Sequence, residues 1–263
     1  MDLKDKVAVV TGGAQGLGRS FVEILLKNGA KVAIVDMNES LGSELKATLD
    51  NEYGPDRTEF YIADVSSQEQ FAGAFQKAIE RFGCFDIMCN NAGIIDEKNW
   101  EKSIAVNLGG VIRGTYLALQ QMRSEKDVKT KKVIINISSV AGLGPMITAP
   151  VYSGTEHGVV GFSRSMAAAV KAANASVRIN VLCPWFVNTS LMSFLNSEEQ
   201  IGHFCHFKDV TEKALEKHGI LETDDVAKAF LTLVTDESKE GEVIFVDTDG
   251  VKTVPPPGRP SRE

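Results

Sequence analysis

Short, mostly apolar blocks recur along the chain at Val7 to Val10, Val32 to Val35, Phe60 to Ala63, Ile87 to Cys89, Val133 to Ile137, Ile179 to Cys183 and Val243 to Val246. Each is strand-length and predicts a strand buried on both faces. Helical patterns fill the gaps, the first being Phe21-Val22-Glu23-Ile24-Leu25-Leu26. Buried strands alternating with helices, without long hairpin signals, predict a doubly wound α/β fold: one parallel sheet with helices on both faces. No shift in composition marks a linker, so residues 1–253 are expected to form a single domain.

Two regions break the rhythm. From Thr189 to His218 the chain turns polar while keeping Met192, Phe194, Leu195, Phe204 and Phe207, a pattern that predicts a small helical lid with an apolar underside. That underside suits a long acyl chain, or simply packs on the core. The pair His203 and His206 lacks a third ligand at useful spacing, so no metal is expected. The run Val254-Pro255-Pro256-Pro257-Gly258-Arg259-Pro260 opposes helix and sheet alike, and residues 254–263 read as a flexible tail.

Charge narrows the partners. With 28 Lys and Arg against 35 Asp and Glu, the net charge is −7, and neither nucleic acid nor an anionic membrane is an expected partner. A small molecule is. No apolar run approaches the roughly 20 residues of a membrane helix, the first residues carry no signal-peptide core, and Cys84, Cys89, Cys183 and Cys205 show no metal spacing. Reduced thiols and a cytoplasmic location are expected.

The chemistry gathers where strands end. The first strand breaks into Thr11-Gly12-Gly13-Ala14-Gln15-Gly16-Leu17-Gly18 and a helix follows at once. Glycines let backbone approach a pyrophosphate, and the helix start offers it free amides, so Gly12, Gln15, Gly16, Leu17 and Gly18 are cofactor-binding candidates. The second strand ends at Asp36, 18 residues after Gly18, where a Rossmann-type unit places an acid for the adenosine ribose. Gly13 and Met37 offer no cation for a 2′-phosphate, which favours NAD over NADP. Asp64-Val65 follows the third strand, facing adenine or acting as an ordinary helix cap, and Asn90-Asn91-Ala92-Gly93 follows the fourth. Ser138 and Ser139 end the fifth, and Tyr152 opens a helix 13 residues after Ser139.

These motifs together resemble the short-chain dehydrogenase/reductase family over essentially the whole chain. Its TGxxxGxG motif is met by Thr11, Gly12, Gly16 and Gly18, its NNAG motif by Asn90 to Gly93, and its catalytic Asn, Ser and Tyr by Asn107, Ser139 and Tyr152. Glu97 to Lys102, Gly114 to Leu117, Pro150 to Tyr152 and Cys183 to Thr189 are further similar to an NAD-dependent branch that oxidises hydroxylated fatty acids such as prostaglandins. The resemblance implies hydride transfer from a secondary alcohol to NAD, with Tyr152 as base, Ser139 holding the alcohol oxygen and Asn107 extending a proton relay. It implies cofactor contacts from Asn91, Ala92, Gly93, Phe186, Val187 and Thr189, and substrate contacts from Ser139, Ala149, Tyr152 and Phe186. It also implies a homodimer built on the helices following Asn107 and carrying Tyr152, with Leu117, Val159, Val160 and Phe162 as candidate contacts.

The main departure is Glu156, which occupies the position where the family carries a lysine, four residues after the tyrosine. A phenol titrating near 10 is a poor base at pH 7, and a lysine one turn along the same helix face lowers it and holds the nicotinamide ribose. A charge about 6 Å away at an effective dielectric of about 20 is worth roughly 3 kcal/mol, so reversing its sign disfavours tyrosinate by up to roughly 5 to 6 kcal/mol. Protonation or hydration of Glu156 would reduce that penalty. His157 projects about 100° around the helix and does not replace the lysine. Two lesser departures are Ala149, where the branch often carries a polar residue such as Gln, and Trp185, where the family usually has Gly and where the ring either narrows the nicotinamide pocket or packs. Two readings result: a dehydrogenase impaired by Glu156, or an NAD-binding pseudoenzyme with a structural or binding role.

Overall fold

The computed structural model describes residues 1–123 and 131–258. One eight-stranded sheet runs in the order β3-β2-β1-β4-β5-β6-β7-β8. The strands are β1 (Val7–Thr11), β2 (Lys31–Asp36), β3 (Thr58–Ile62), β4 (Ile87–Asn90), β5 (Lys132–Ile137), β6 (Val177–Pro184), β7 (Val243–Asp247) and β8 (Gly250–Thr253). The first seven are parallel, and all five residues of β1 and all eight of β6 are buried, the double-faced burial that the apolar blocks predict.

The eighth strand corrects the all-parallel expectation. β8 pairs antiparallel with β7 through a tight turn at Thr248 and Asp249, and Gly250 takes the left-handed φ of 122° that closes it. The Asp-Gly dipeptide there is a hairpin signal, but β8 has little apolar content to announce it. The tail expectation changes too: the Val254 N–H donates to Val243 O at 2.8 Å, and Arg164 donates to the carbonyls of Val254 and Pro255. The last five positions of the expected tail, 259–263, lie outside the described residues.

Helices α1 (Gly16–Lys27), α2 (Glu39–Tyr53) and α9 (Thr223–Thr235) cover one face, packing Phe21, Leu25, Leu49 and Phe230 on the sheet. Phe21 stacks on Phe230 with centroids 4.4 Å apart. α3 (Gln68–Phe82), α5 (Val111–Arg123) and α6 (Pro150–Ala172) cover the other, with Phe71, Phe75 and Val170 in its core. α4 (Trp100–Ser103) leads into a π-helical segment, Ile104–Gly110, that continues as α5. The stretch 189–218 is helical as expected: a 3-10 turn at Ser190–Asn196, α7 (Glu198–Ile201), a second at Gly202–Phe207, and α8 (Lys208–His218). Among the described residues no helix is long and apolar enough to cross a membrane.

Because β2 and β3 extend the sheet one way from β1 and β4 to β8 the other, the chain reverses direction between β1 and β4. A crevice opens there at the carboxyl ends of the strands, the place where doubly wound sheets hold their ligands.

Candidate functional site

A groove of about 1700 Å³, counted to its open mouth, fills that crevice. Its floor is stitched by Thr11, whose hydroxyl accepts from the backbone N–H groups of Asn91 at 3.0 Å and Ala92 at 3.1 Å. Asn91 returns the bond, donating from Nδ2 to the carbonyls of Thr11 and Gly12. Gly12 needs its left-handed φ of 61°, and a side chain on Gly18 would sit 1.9 Å from the Gly12 carbonyl oxygen. Gly18 thus lets α1 close onto its own turn, while no side chain caps the first turn of α1. Those uncapped amides, beside glycine backbone, fit an anion such as a pyrophosphate.

At the groove's outer end, Asp36 accepts from Ala14 N–H and Asn38 N–H, each at 3.0 Å, beside the exposed Met37. Asp64 lines the groove and accepts from Ser66 N–H, while Ser67 caps α3. The alternative of Asp64 as the helix cap is therefore set aside. Val65, Gly16, Leu17, Gln15 and Gly93 line the same groove, and Thr189 closes it from the lid side.

The inner end holds Tyr152 and Glu156, one turn apart on α6 and both buried. Tyr152 and Ser138 line this groove and also a smaller cavity of about 500 Å³, so the phenol stands at their junction. Ser139 lines the smaller cavity beside the phenol and accepts from Ala141 N–H at 3.1 Å to start the turn after β5. Ser153 ties α6 to that turn by donating to Ala141 O at 2.8 Å.

Asn107 sits in the π-helical segment, a feature frequent at functional sites. Its carboxamide accepts from Ile94 N–H and donates to Ile94 O, both at 2.9 Å, and donates to Thr155 Oγ1 at 3.2 Å. Both of its amide hydrogens are thus committed, so the carboxamide pins the loop after Gly93 to α6.

Burial dominates the electrostatics. It pushes the Tyr152 phenol well above 10, Glu156 adds to the rise, and the Ser139 hydrogen bond opposes it. Burial also raises the Glu156 carboxyl to about 8, against a lowering hydrogen bond from Ser138. Glu156 is therefore mostly neutral at pH 7, and the adverse charge reversal expected from the sequence shrinks there to roughly half, the loss of a lysine's attraction alone. Cys183, buried on β6 beside the same Ser138, is pushed up to about 12, first by burial.

The smaller cavity is apolar, with Ile95, Met146, Phe186, Met192 and Phe194 among its walls. Phe186, expected along both cofactor and substrate, and Val187, expected along the cofactor, line this cavity, which adjoins the groove at Tyr152, Ser138 and Thr189. Ala149, expected as a substrate contact, is fully buried at the start of α6 and lines neither space. Trp185 does both things open to it: the ring lines the small cavity, and its indole N–H donates to Gly219 O at 3.0 Å between Phe186 and His218. Leu195 packs in one apolar cluster with Phe194, Ile201, Ala149 and Tyr152. Val159 and Val160, expected at a dimer surface, are buried within this chain because their faces of α6 turn inward; Tyr116 is the exposed ring on α5, 6.3 Å from Phe162. Leu117 is half-buried on the core under α5.

Sequence reasoning missed two residues. Lys102 is the single cation among the groove-lining residues, and Gln200 reaches the groove from α7; Lys102 ends the segment Glu97 to Lys102 but has no role assigned to it there, and Gln200 belongs to no motif. Among the described residues no group of three or more His, Cys, Asp or Glu could hold a metal ion.

The family model described as short chain dehydrogenase matches residues 6–200. Human 15-hydroxyprostaglandin dehydrogenase [NAD(+)] is 44% identical over 248 residues, 94% of this chain and 93% of the relative. Among solved structures, levodione reductase superposes with a TM-score of 0.79 at 27% identity, covering 93% of this chain and 96% of that one. A Burkholderia phymatum short chain dehydrogenase/reductase in complex with NAD gives 0.80 at 24% identity, covering 93% and 90%, and shows the same fold.

Proposed function

Because this chain belongs to the short chain dehydrogenase family, we propose that it is an NAD-dependent oxidoreductase that converts a secondary hydroxyl of a hydroxylated fatty acid, such as a prostaglandin, to the ketone. The observation that carries this reading is Tyr152 at the junction of a polar, glycine-floored groove and an apolar cavity. The groove suits a dinucleotide: uncapped α1 amides for the pyrophosphate, Asp36 for adenosine ribose hydroxyls, and Glu156 for the other ribose. Asp36 repels a 2′-phosphate, which selects NAD. The apolar walls take the acyl chain.

NAD held in the groove would supply the acceptor for the hydride that leaves the carbinol carbon. Tyr152 takes the hydroxyl proton, and Ser139 holds the same oxygen and eases phenolate formation. Glu156 sets the rate by its charge: neutral, it leaves Tyr152 a weak base; ionised, it opposes the phenolate. The reading extends to a second copy packed on the α5 and α6 face that shows Tyr116 and Phe162, with a homodimer expected in sedimentation.

Titration calorimetry with NAD, with NADH formation followed from a hydroxylated prostaglandin across pH 7 to 10, tests this reading. Binding with turnover that climbs toward alkaline pH supports it. Binding with no turnover at any pH establishes the second reading, an NAD-binding pseudoenzyme, which Glu156 favours. Absence of NAD binding overturns both.

A further inference from the structure

The helix that carries Tyr152 starts without a cap of its own. Ala149 stands at its N-cap position with no side-chain acceptor, and Pro150, the next residue, has no N–H to satisfy. The first-turn donors Val151 and Tyr152 are instead taken by a residue more than fifty positions earlier. Glu97 accepts from Val151 N–H through Oε2 and from Tyr152 N–H through Oε1, both at 2.9 Å, and is itself only 8% exposed. Its own backbone N–H donates to Gln200 O at 2.8 Å on the lid helix α7, and Gln200 lines the groove.

We propose that Glu97 is a positioning residue that fixes Tyr152 at the inner end of the groove and couples it to the lid. A carboxylate across the first amides of α6 satisfies two orphan donors and complements the positive end of the helix, so it sets where the first turn sits. Tyr152 lies on that turn, and its backbone is one of the two donors, so its phenol reaches Ser139 from a backbone fixed by Glu97. The same residue holds the lid through its backbone, so movement of α7 and movement of Tyr152 share one anchor. Gln200 gives that anchor a direct stake in what occupies the groove.

The proposal rests on the dehydrogenase reading only for its activity readout. Glu97→Ala, Glu97→Gln and the double variant Glu97→Ala, Ala149→Ser are compared in the native background and in Glu156→Lys, by hydrogen exchange at 150–153 and 198–201, kcat, KM and NAD affinity. Loss of the carboxylate is expected to speed exchange about tenfold in both segments and to lower kcat about 10- to 100-fold while NAD affinity stays within about twofold. The serine supplies a local cap, so the double variant regains kcat and protection at 150–153 while 198–201 stays fast. A drop in melting temperature with kcat untouched, or exchange unchanged in either segment, overturns the proposal. Where Glu97→Ala does not fold, Glu97→Gln retains one acceptor oxygen and gives the same readings at smaller amplitude. If neither background turns over, the dehydrogenase reading has failed, and joint exchange of 150–153 and 198–201 still decides the coupling.

Discussion

Two helices begin on the same groove, and they are built from opposite materials. α1 starts with glycine backbone, no acid in its first turn and no side-chain cap; α6 starts in a buried pocket, sealed by the Glu97 carboxylate, with Glu156 one turn further in. Each helix start carries about half a positive charge and unsatisfied amides. Left open, these form an anion site; closed by the protein's own carboxylate, they become a fixed platform for a reacting side chain. The acids differ likewise. Asp36 sits at a half-buried strand end with two backbone donors, whereas Glu156 is buried and held near 8. One end of the groove leaves its helix amides open, and the other buries a carboxyl whose titration is raised to about 8.

The largest expected effect tests the α6 side by removing its titration. Glu156 titrates near 8 when folded and near 4.5 when unfolded. Between those values the folded chain keeps a proton that the unfolded chain has released. The stabilisation is therefore complete below about 4.5 and lost as pH rises through about 8, at most about 4 to 5 kcal/mol. Glu156→Gln abolishes this slope, so its melting temperature relative to the parent should rise by on the order of 10 °C between pH 5 and pH 9. The same pair separates the pH–rate profiles. Oxidation climbs with pH in both, because Tyr152 titrates well above 10. Around pH 8 the parent climbs more shallowly, since Glu156 ionises there and pushes Tyr152 further up. Parallel melting curves and parallel rate profiles would place the carboxylate outside the protonation chemistry.

Next in size is Glu156→Lys, which gives the α6 end the cation that its family carries. A positive charge about 6 Å from the phenol, in place of a neutral acid, is worth roughly 3 kcal/mol, so NADH formation at pH 7 should rise on the order of 100-fold. A silent Glu156→Lys variant that still binds NAD would show that the small cavity, with Trp185 in its wall, no longer admits the alcohol.

How much of this was legible in the sequence follows the same division. β1, the glycine turn and Asp36 are local: each residue acts within about 30 positions of the others, and periodicity plus spacing finds them. The α6 end is assembled from residues far apart in the chain, Glu97 with Tyr152 and Asn107 with Thr155, and no local pattern records those partners. Ala149 is a substrate position only through the resemblance, whose branch often carries a polar residue there, and no sequence pattern records that it is buried at the N-cap of α6. Val159 and Val160 fit an interface stripe as well as a core stripe, since a 3.6-residue period does not say what covers a face. The neutral state of Glu156 follows from burial, which spacing does not report.

Asp36→Ala probes the binding end. Removing a carboxylate that can accept from ribose hydroxyls should weaken NAD by about 10- to 100-fold, the range for a hydrogen bond to a charged group. It should also narrow the preference over NADP, because the repulsion of a 2′-phosphate goes with it. Titration with both nucleotides measures the two effects together. An unchanged preference would return Asp36 to a purely structural role, receiving the amides of Ala14 and Asn38.

The smallest expected effect is the most direct trial of the contrast between the two helix starts. Gln15 occupies the N-cap of α1 in an extended conformation, φ −151° and ψ 172°, as a capping residue requires, but its side chain caps nothing. Gln15→Asp places on α1 the arrangement that α6 already has, a protein carboxylate over the first amides. The ligand-free protein should gain about 1 kcal/mol from the new cap and its favourable place at the helix dipole, read as a melting-temperature rise of about 2 to 4 °C. NAD should bind about tenfold more weakly, because its pyrophosphate would meet amides already taken and a like charge beside them. Salt should recover part of that loss, since screening weakens the repulsion and leaves the occupied amides as they are. If the variant is stabilised and binds NAD as before, the open start of α1 is incidental and the anion is held elsewhere, with Lys102, the single cation in the groove lining, the next residue to change.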